Sequence, residues 1–197
     1  MSFPESVRPL VTTVLVATYL PVPIYLLWMH TLQRVWRRVG LASYIVHLSL
    51  YAALVTLVAR SHAAWSWNAW PWPAALSWIA AVPLILAAWL AIYTYATIDF
   101  KTLHQIRQLV PGKERRIVRS GVLGRMRHPR YVMFSLIGIG AALFSGYPLV
   151  AVTAVLTVAL FAVVILVEER ELAQCFGEEF ERYRREVPAF IPRLRRP

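Results

Sequence analysis

Long uncharged stretches alternate along this chain with short, strongly basic ones. Four stretches carry no Asp, Glu, Lys or Arg: residues 10–29, 41–59, 74–98 and 131–167. Each of the first three has the length of one membrane-crossing helix, since about 20 residues cover roughly 30 Å of hydrocarbon. As a single helix the fourth would reach about 55 Å at 1.5 Å per residue, and Ser145-Gly146-Tyr147-Pro148 interrupts it near its middle. Gly and Pro together break a helix there, so the pattern predicts a tight helical hairpin. The expected fold is therefore all-α and integral to the membrane, with five transmembrane helices.

The basic residues orient this arrangement, because short cytoplasmic loops collect Lys and Arg. Arg34, Arg37 and Arg38 follow the first stretch, nine basic residues lie within 101–130, and seven lie beyond Glu169. Only Arg8 and Arg60 fall on the opposite side. The segregation predicts an outside N-terminus and a cytoplasmic C-terminus, in the inner or plasma membrane if the source is bacterial. Residues 1–197 then form one membrane domain: three N-terminal spans in 1–100, a basic cytoplasmic loop in 101–130, the hairpin in 131–167 and a cytoplasmic tail in 168–197. Trp65, Trp67, Trp70 and Trp72 lie on the outer side and read as an interfacial aromatic belt.

Composition agrees with this picture. At 58% apolar residues and a mean hydropathy of +0.54, the chain is too apolar for an ordinary soluble domain. The net charge of +11 does not point to nucleic acid, since it is confined to loops bordering apolar spans. One cysteine, Cys175, and five scattered histidines offer no metal-ligand spacing, so no metal is expected. Gly138-Ile139-Gly140 lies inside a predicted span and suits close helix packing, not a nucleotide-binding turn. Pro21 and Pro23 read as a kink in the first span.

A hairpin that starts and ends on one face brings the segments flanking it side by side. Before it stands Gly124-Arg125-Met126-Arg127-His128-Pro129-Arg130-Tyr131; after it stands Glu168-Glu169-Arg170-Glu171-Leu172-Ala173-Gln174-Cys175-Phe176-Gly177. Guanidinium, imidazole, phenol and carboxylate groups thus gather at the membrane border, where ionisable side chains invite a functional reading. The simpler alternative is that Glu168 and Glu169 mark the helix exit into water and pair with loop arginines. Beyond Gly177, Phe176, Phe180, Tyr183 and Val187 recur at helical spacing, with Glu178–Arg182 and Glu181–Arg185 at i, i+4, predicting an amphipathic tail helix that ends at Pro188.

The ordered series Arg127-His128-Pro129-x-Tyr131, apolar hairpin, Glu168-Glu169, Phe176-Gly177-Glu178-Glu179, Tyr183 and Val187-Pro188-x-Phe190-Ile191-Pro192 resembles the isoprenylcysteine carboxyl methyltransferase family and its bacterial relatives, including phospholipid N-methyltransferases. The resemblance covers residues 120–192. It implies a membrane enzyme that binds S-adenosylmethionine without a Rossmann domain and methylates a lipidic or amphiphilic small molecule arriving from the membrane. By the family pattern His128, Pro129, Tyr131, Glu168, Glu169 and Phe176 belong to the cofactor pocket, and Arg127 and Glu169 to the catalytic set. Four positions depart from the pattern: Val122-Leu123 replace Pro-Tyr ahead of Arg-His-Pro, Met133 replaces a glycine, and Phe180 a tyrosine. Methyl transfer is an in-line displacement at carbon, so alignment and exclusion of water suffice and no covalent nucleophile is required. Two other classes stand beside this one. Sterol-reductase-like nicotinamide chemistry is disfavoured because its Asn, Gly and Asp are missing around Tyr131, and a non-catalytic relative would account for Leu123 and Met133.

Overall fold

The structure, a computed structural model, describes residues 7–61, 73–98 and 117–192, and among these it contains helices, turns and loops but no strand. The Trp65–Trp72 belt, the basic residues Lys101, Arg107, Lys113, Arg115 and Arg116, and the final arginines lie outside the described residues.

The first apolar stretch forms α1 (Arg8–Tyr19) and α2 (Pro21–Thr31). Leu20 between them keeps helical geometry and its amide still donates to Val16 O at 3.0 Å, so Pro21 inflects the helix without ending it. A short α3 (Gln33–Val39) and a 3-10 turn (Gly40–Ala42) lead into α4 (Ser43–Arg60). The third stretch gives α5 (Ala74–Ile79) and α6 (Ala81–Thr97). After the 3-10 turn Gly121–Gly124 come α7 (Pro129–Ser145), α8 (Pro148–Phe176) and α9 (Glu178–Glu186).

Three of these segments are long and apolar enough to cross a membrane: Arg8–Thr31, Ala75–Thr97 and Pro148–Phe176; Ile45–Arg60 and Pro129–Ser145 are apolar but shorter. Large apolar side chains face outward on α4 (Ile45, Leu48, Leu57), α6 (Ile85, Trp89, Ile92) and α8 (Val152, Val155, Leu166). A surface of this kind is at home in hydrocarbon and not in water.

The hairpin is closed by Gly146 in the left-handed conformation, φ 68°, with Pro148 in the first turn of α8. Gly at the end of one helix and Pro at the start of the next is the pairing that backbone sterics favour. α7 is the central helix, packed on α1, α5, α6 and α8, while α2 lies against α8. A Cβ at Gly140 would stand 2.5 Å from the Leu84 side chain, whereas one at Gly138 would meet Ala154 at 3.4 Å. Gly140→Ala is therefore expected to destabilise the detergent-solubilised protein by about 1–3 kcal/mol through overpacking, and Gly138→Ala to leave the thermal midpoint nearly unchanged.

One boundary differs from expectation. The uncharged run stops at Val167, but α8 continues unbroken to Phe176 and ends only at Gly177, φ 53°. Glu168–Phe176 consists of good helix formers with no Gly or Pro, so nothing in the chain breaks the helix sooner. α8 thus carries its carboxylates on a rigid extension about 13 Å long beyond the apolar run, at 1.5 Å per residue.

Candidate functional site

Pro129 occupies the first turn of α7 and His128 is its N-cap residue. Arg127, His128 and Tyr131 are thereby fixed at the start of the hairpin, opposite Glu168 and Glu169 on the α8 extension. Glu169 Oε1 accepts from Arg127 Nη2 at 2.8 Å, Arg127 Nε at 3.1 Å and His128 Nε2 at 2.9 Å. Its other oxygen, Oε2, is 3.6 Å from Arg184 Nε of α9. Arg127 and Glu169 side chains are only 10% and 13% exposed, so each depends on the other for its charge balance.

Glu168 keeps different company. Tyr131 donates its hydroxyl to Glu168 Oε2 at 2.6 Å, and His128 Nδ1 is 3.8 Å from the same oxygen. One imidazole therefore stands between two adjacent carboxylates. The Tyr131 ring packs on Phe161 at 5.0 Å between centroids, and on the other side of His128 lies Phe190 at 6.1 Å.

The chain after α9 crosses this cluster as a strap. Backbone amides of Arg127 and His128 donate to Pro188 O at 2.9 Å and Ala189 O at 3.0 Å. Arg127 Nη1 adds bonds to the carbonyls of Arg184 and Val187. Arg119 holds the helix itself, donating to Glu186 at 2.8 Å and to Glu179 O at 3.0 Å. With Glu178, Glu179 and Glu181 in its first turn and Arg184 and Arg185 in its last, α9 also matches its own macrodipole.

Tyr183 pins α9 to the 3-10 turn by donating its hydroxyl to Leu123 O at 2.7 Å, with the Arg119 guanidinium 5.5 Å over its ring. Burial pushes its phenol up to about 12 from 10.0. The neutral hydroxyl is thus favoured in the folded protein, and its contribution is present below pH 10.0 and lost as pH rises toward 12. Tyr183→Phe is expected to cost about 1 kcal/mol, read as a lower midpoint in detergent unfolding with little change at the cluster.

The structure brings together Arg127, His128, Pro129, Tyr131, Glu168 and Glu169. Phe176 is not among them: it packs against Phe180, Tyr183 and Val187 in a separate apolar cluster beneath α9. Met133, the residue standing where relatives have glycine, faces α6 and packs with Ala87, Leu90 and Met126, away from the Tyr131 side. Leu123 uses its carbonyl, not its side chain, to receive Tyr183.

Several contributors escape sequence reading. His30 at the end of α2 is buried and lies 3.0 Å from Glu171 through Nδ1; its one sequence signal is that it directly follows an uncharged run on the basic side of the chain. Arg119, Arg184 and the strap carbonyls were invisible, because carbonyl acceptors leave no trace in side-chain pattern. Among the described residues, no three His, Cys, Asp or Glu side chains form a group that could hold a metal ion.

Known proteins locate this site within a larger relationship. The model of the phospholipid methyltransferase family matches residues 75–179. The chain is 42% identical over 87 residues to the cobalt-zinc-cadmium resistance protein CzcN of Cupriavidus metallidurans, covering 42% of this chain and 38% of that one. It is 31% identical over 82 residues to the protein-S-isoprenylcysteine O-methyltransferase of Schizosaccharomyces pombe, covering 41% of this chain and 35% of the relative. The matches thus span little more than a third of either relative's length, and no solved structure matches. The family match takes in α6, the hairpin and the Arg127–His128–Glu168–Glu169 cluster, more than half of the chain, and this chain belongs to the phospholipid methyltransferase family.

Proposed function

We propose that the protein is a multi-pass membrane methyltransferase that uses S-adenosylmethionine to methylate a lipidic or amphiphilic small molecule. The observation that carries this reading is the Glu169 hub, with Arg127 and His128 on one oxygen and the C-terminal strap bonded over it. When bound, the cofactor supplies a methyl group on a sulfonium centre. The donor set suits it chemically: Arg127 and Arg184 match a carboxylate, Glu169 an ammonium, and the Tyr131 and Phe190 rings a flat base.

In this reading Arg127, His128 and Glu169 act mainly as a rigid frame, since Glu169 Oε1 already accepts three N–H groups. Glu168, with Tyr131 as its donor, is the carboxylate nearer the reacting group. Pro129 sets the frame by starting α7, and Phe176 supports it indirectly through α9. The strap and the apolar walls exclude water, which alignment-driven transfer requires.

We place the chain in the bilayer as five spans with the N-terminus outside and this site on the cytoplasmic face. α4 and α7 are short for a full crossing, so they cross a locally thin or tilted region beside the longer helices. Reporter fusions are expected to give a cytoplasmic C-terminus and an external N-terminus; the opposite pattern sinks the topology.

Acceptors divide by protonation. An oxygen acceptor, as in the S. pombe relative's name, needs no base when it is a carboxylate, whereas an amine acceptor must first lose a proton. Phospholipid amine methylation is the second reading, favoured by the family's description and by the carboxylates Glu168 and Glu171 on one helix end. The decisive experiment pairs calorimetry of the purified protein with S-adenosylmethionine and a radiolabelled methyl-transfer assay. Substrates are total lipid extract, phosphatidylethanolamine vesicles and a prenylcysteine analogue, with the product identified. Cofactor binding and one labelled lipidic product are expected. No binding at millimolar cofactor overturns the proposal.

A further inference from the structure

The two carboxylates of the site are supported by different parts of the chain. Glu169 is held by the residue pair at the start of α7 and by α9. Glu168 accepts from Tyr131 and stands one helical turn before Glu171, which meets α2; α2 falls outside the family-matched residues 75–179. α2 ends in His30, a polar residue buried at 6% exposure. Its Nδ1 is 3.0 Å from Glu171 Oε2, and an ionised carboxylate there accepts the Nδ1 proton and fixes the ring. Glu171 follows Glu168 by three residues, so both lie on one face of α8, the face that meets α2.

Several charged and titratable groups act on Glu168. From α2 comes His30; from α7 and its lead-in come Arg130, His128 and Tyr131. From α8 itself come Glu169 and Glu171, and from α9 comes Tyr183. Among the described residues of this set His30 is the member contributed by the N-terminal half of the chain, and its contact with Glu171 gives it a fixed position.

We propose that His30 is a positioning residue for methyl transfer: in contact with Glu171, it locks α2 against the end of α8 that carries Glu168 and so holds that carboxylate toward the acceptor. The first apolar helix thereby completes a site whose other parts lie in the family-matched region and the strap. This inference rests on the methyltransferase reading.

The test uses the full chain in lipid nanodiscs with His30→Gln, His30→Ala and Glu171→Gln, and Trp89→Ala on the outward face of α6 as a control. Carbodiimide modification of Glu168, followed by mass spectrometry, reports its protonated fraction without any turnover. Against the burial that opposes it, His30 helps hold the Glu168 carboxyl below its ordinary value, so His30→Gln is expected to raise labelling several-fold at neutral pH. Glu171→Gln frees the His30 ring but also removes a like charge one turn from Glu168, so labelling changes less than in His30→Gln. S-adenosylmethionine affinity is expected to stay near wild type while kcat for the radiolabelled lipid-extract assay falls about tenfold.

If His30→Ala fails to fold, His30→Gln and Glu171→Gln, which keep side-chain size, decide the matter. Unchanged Glu168 labelling, or changed labelling with unchanged kcat, overturns the role for His30 and leaves the methyltransferase reading standing. A wild-type protein that binds no S-adenosylmethionine overturns both.

Discussion

Glu169→Ala is expected to abolish S-adenosylmethionine binding, read as the absence of a calorimetric signal at millimolar cofactor, while the protein remains monodisperse in detergent. The carboxylate is the acceptor for Arg127 Nε and Nη2 and for His128 Nε2, so its loss frees three donors at once and lets the ring of His128 turn. The fold survives because α8 is held by its apolar face: Phe161, Val164 and Ile165 stay packed with Val22, Leu26 and Tyr131. Glu169→Gln keeps the shape but replaces charge-assisted bonds with neutral ones. A difference of about 1.5–3 kcal/mol corresponds to binding weaker by about ten- to a hundredfold. Wild-type affinity in the alanine variant would place the cofactor elsewhere.

Arg127→Ala is expected to be the more damaging change, since it acts on both the cluster and the strap. The guanidinium joins Glu169 to the carbonyls of Arg184 and Val187, so its removal leaves a mostly buried carboxylate without its main partner. Such breakage costs about 3–5 kcal/mol when the pair is fully buried, and somewhat less at this partly open border. Trypsin should then cut after Arg184 or Arg185 much faster than in wild type, and cofactor binding should disappear with it. Arg127→Lys is not expected to rescue either property, because a single ammonium cannot serve a carboxylate and two carbonyls from one planar fork. An Arg127→Ala, Glu169→Ala cycle isolates their coupling. A tail as resistant in Arg127→Ala as in wild type would refute the strap's dependence on this residue.

The apolar helices were legible because hydrocarbon imposes a composition on whatever faces it. The uncharged runs 10–29, 41–59 and 74–98 coincide with α1–α2, α4 and α5–α6 to within a few residues. The break at Ser145-Gly146-Tyr147-Pro148 became the hairpin turn, since a left-handed glycine followed by proline has few other uses. The pairing of Arg127–His128 with Glu168–Glu169 followed from the hairpin's geometry alone. What stayed hidden depends on contacts between distant segments. Helix continuation through Glu168–Phe176 was masked because charge marks the end of an apolar run, not of a helix. His30 meets Glu171 across 141 positions, and neither residue carries a local sign of the other. The strap uses main-chain carbonyls, which every residue possesses. Phe176 followed the motif but packs with α9 instead of His128, since a position seven residues beyond Glu169 lies about 10 Å further along the helix at 1.5 Å per residue.

The unbroken course of α8 also makes it a ruler. Its lower part is fixed against hydrocarbon by outward Val152, Val155 and Leu166, and its upper part carries Glu168, Glu169 and Glu171 with no hinge between. The height of the carboxylates above the apolar run is therefore set by residue count, and a lipidic acceptor of the kind proposed above would have to present its nucleophile at that height while its own tail stays in the bilayer. One residue inserted between Phe161 and Glu168 would lift the carboxylates by about 1.5 Å and turn them by about 100°, away from Arg127 and His128. On that proposal, acceptors would be sorted by the distance between reactive group and hydrocarbon as much as by the chemistry of that group.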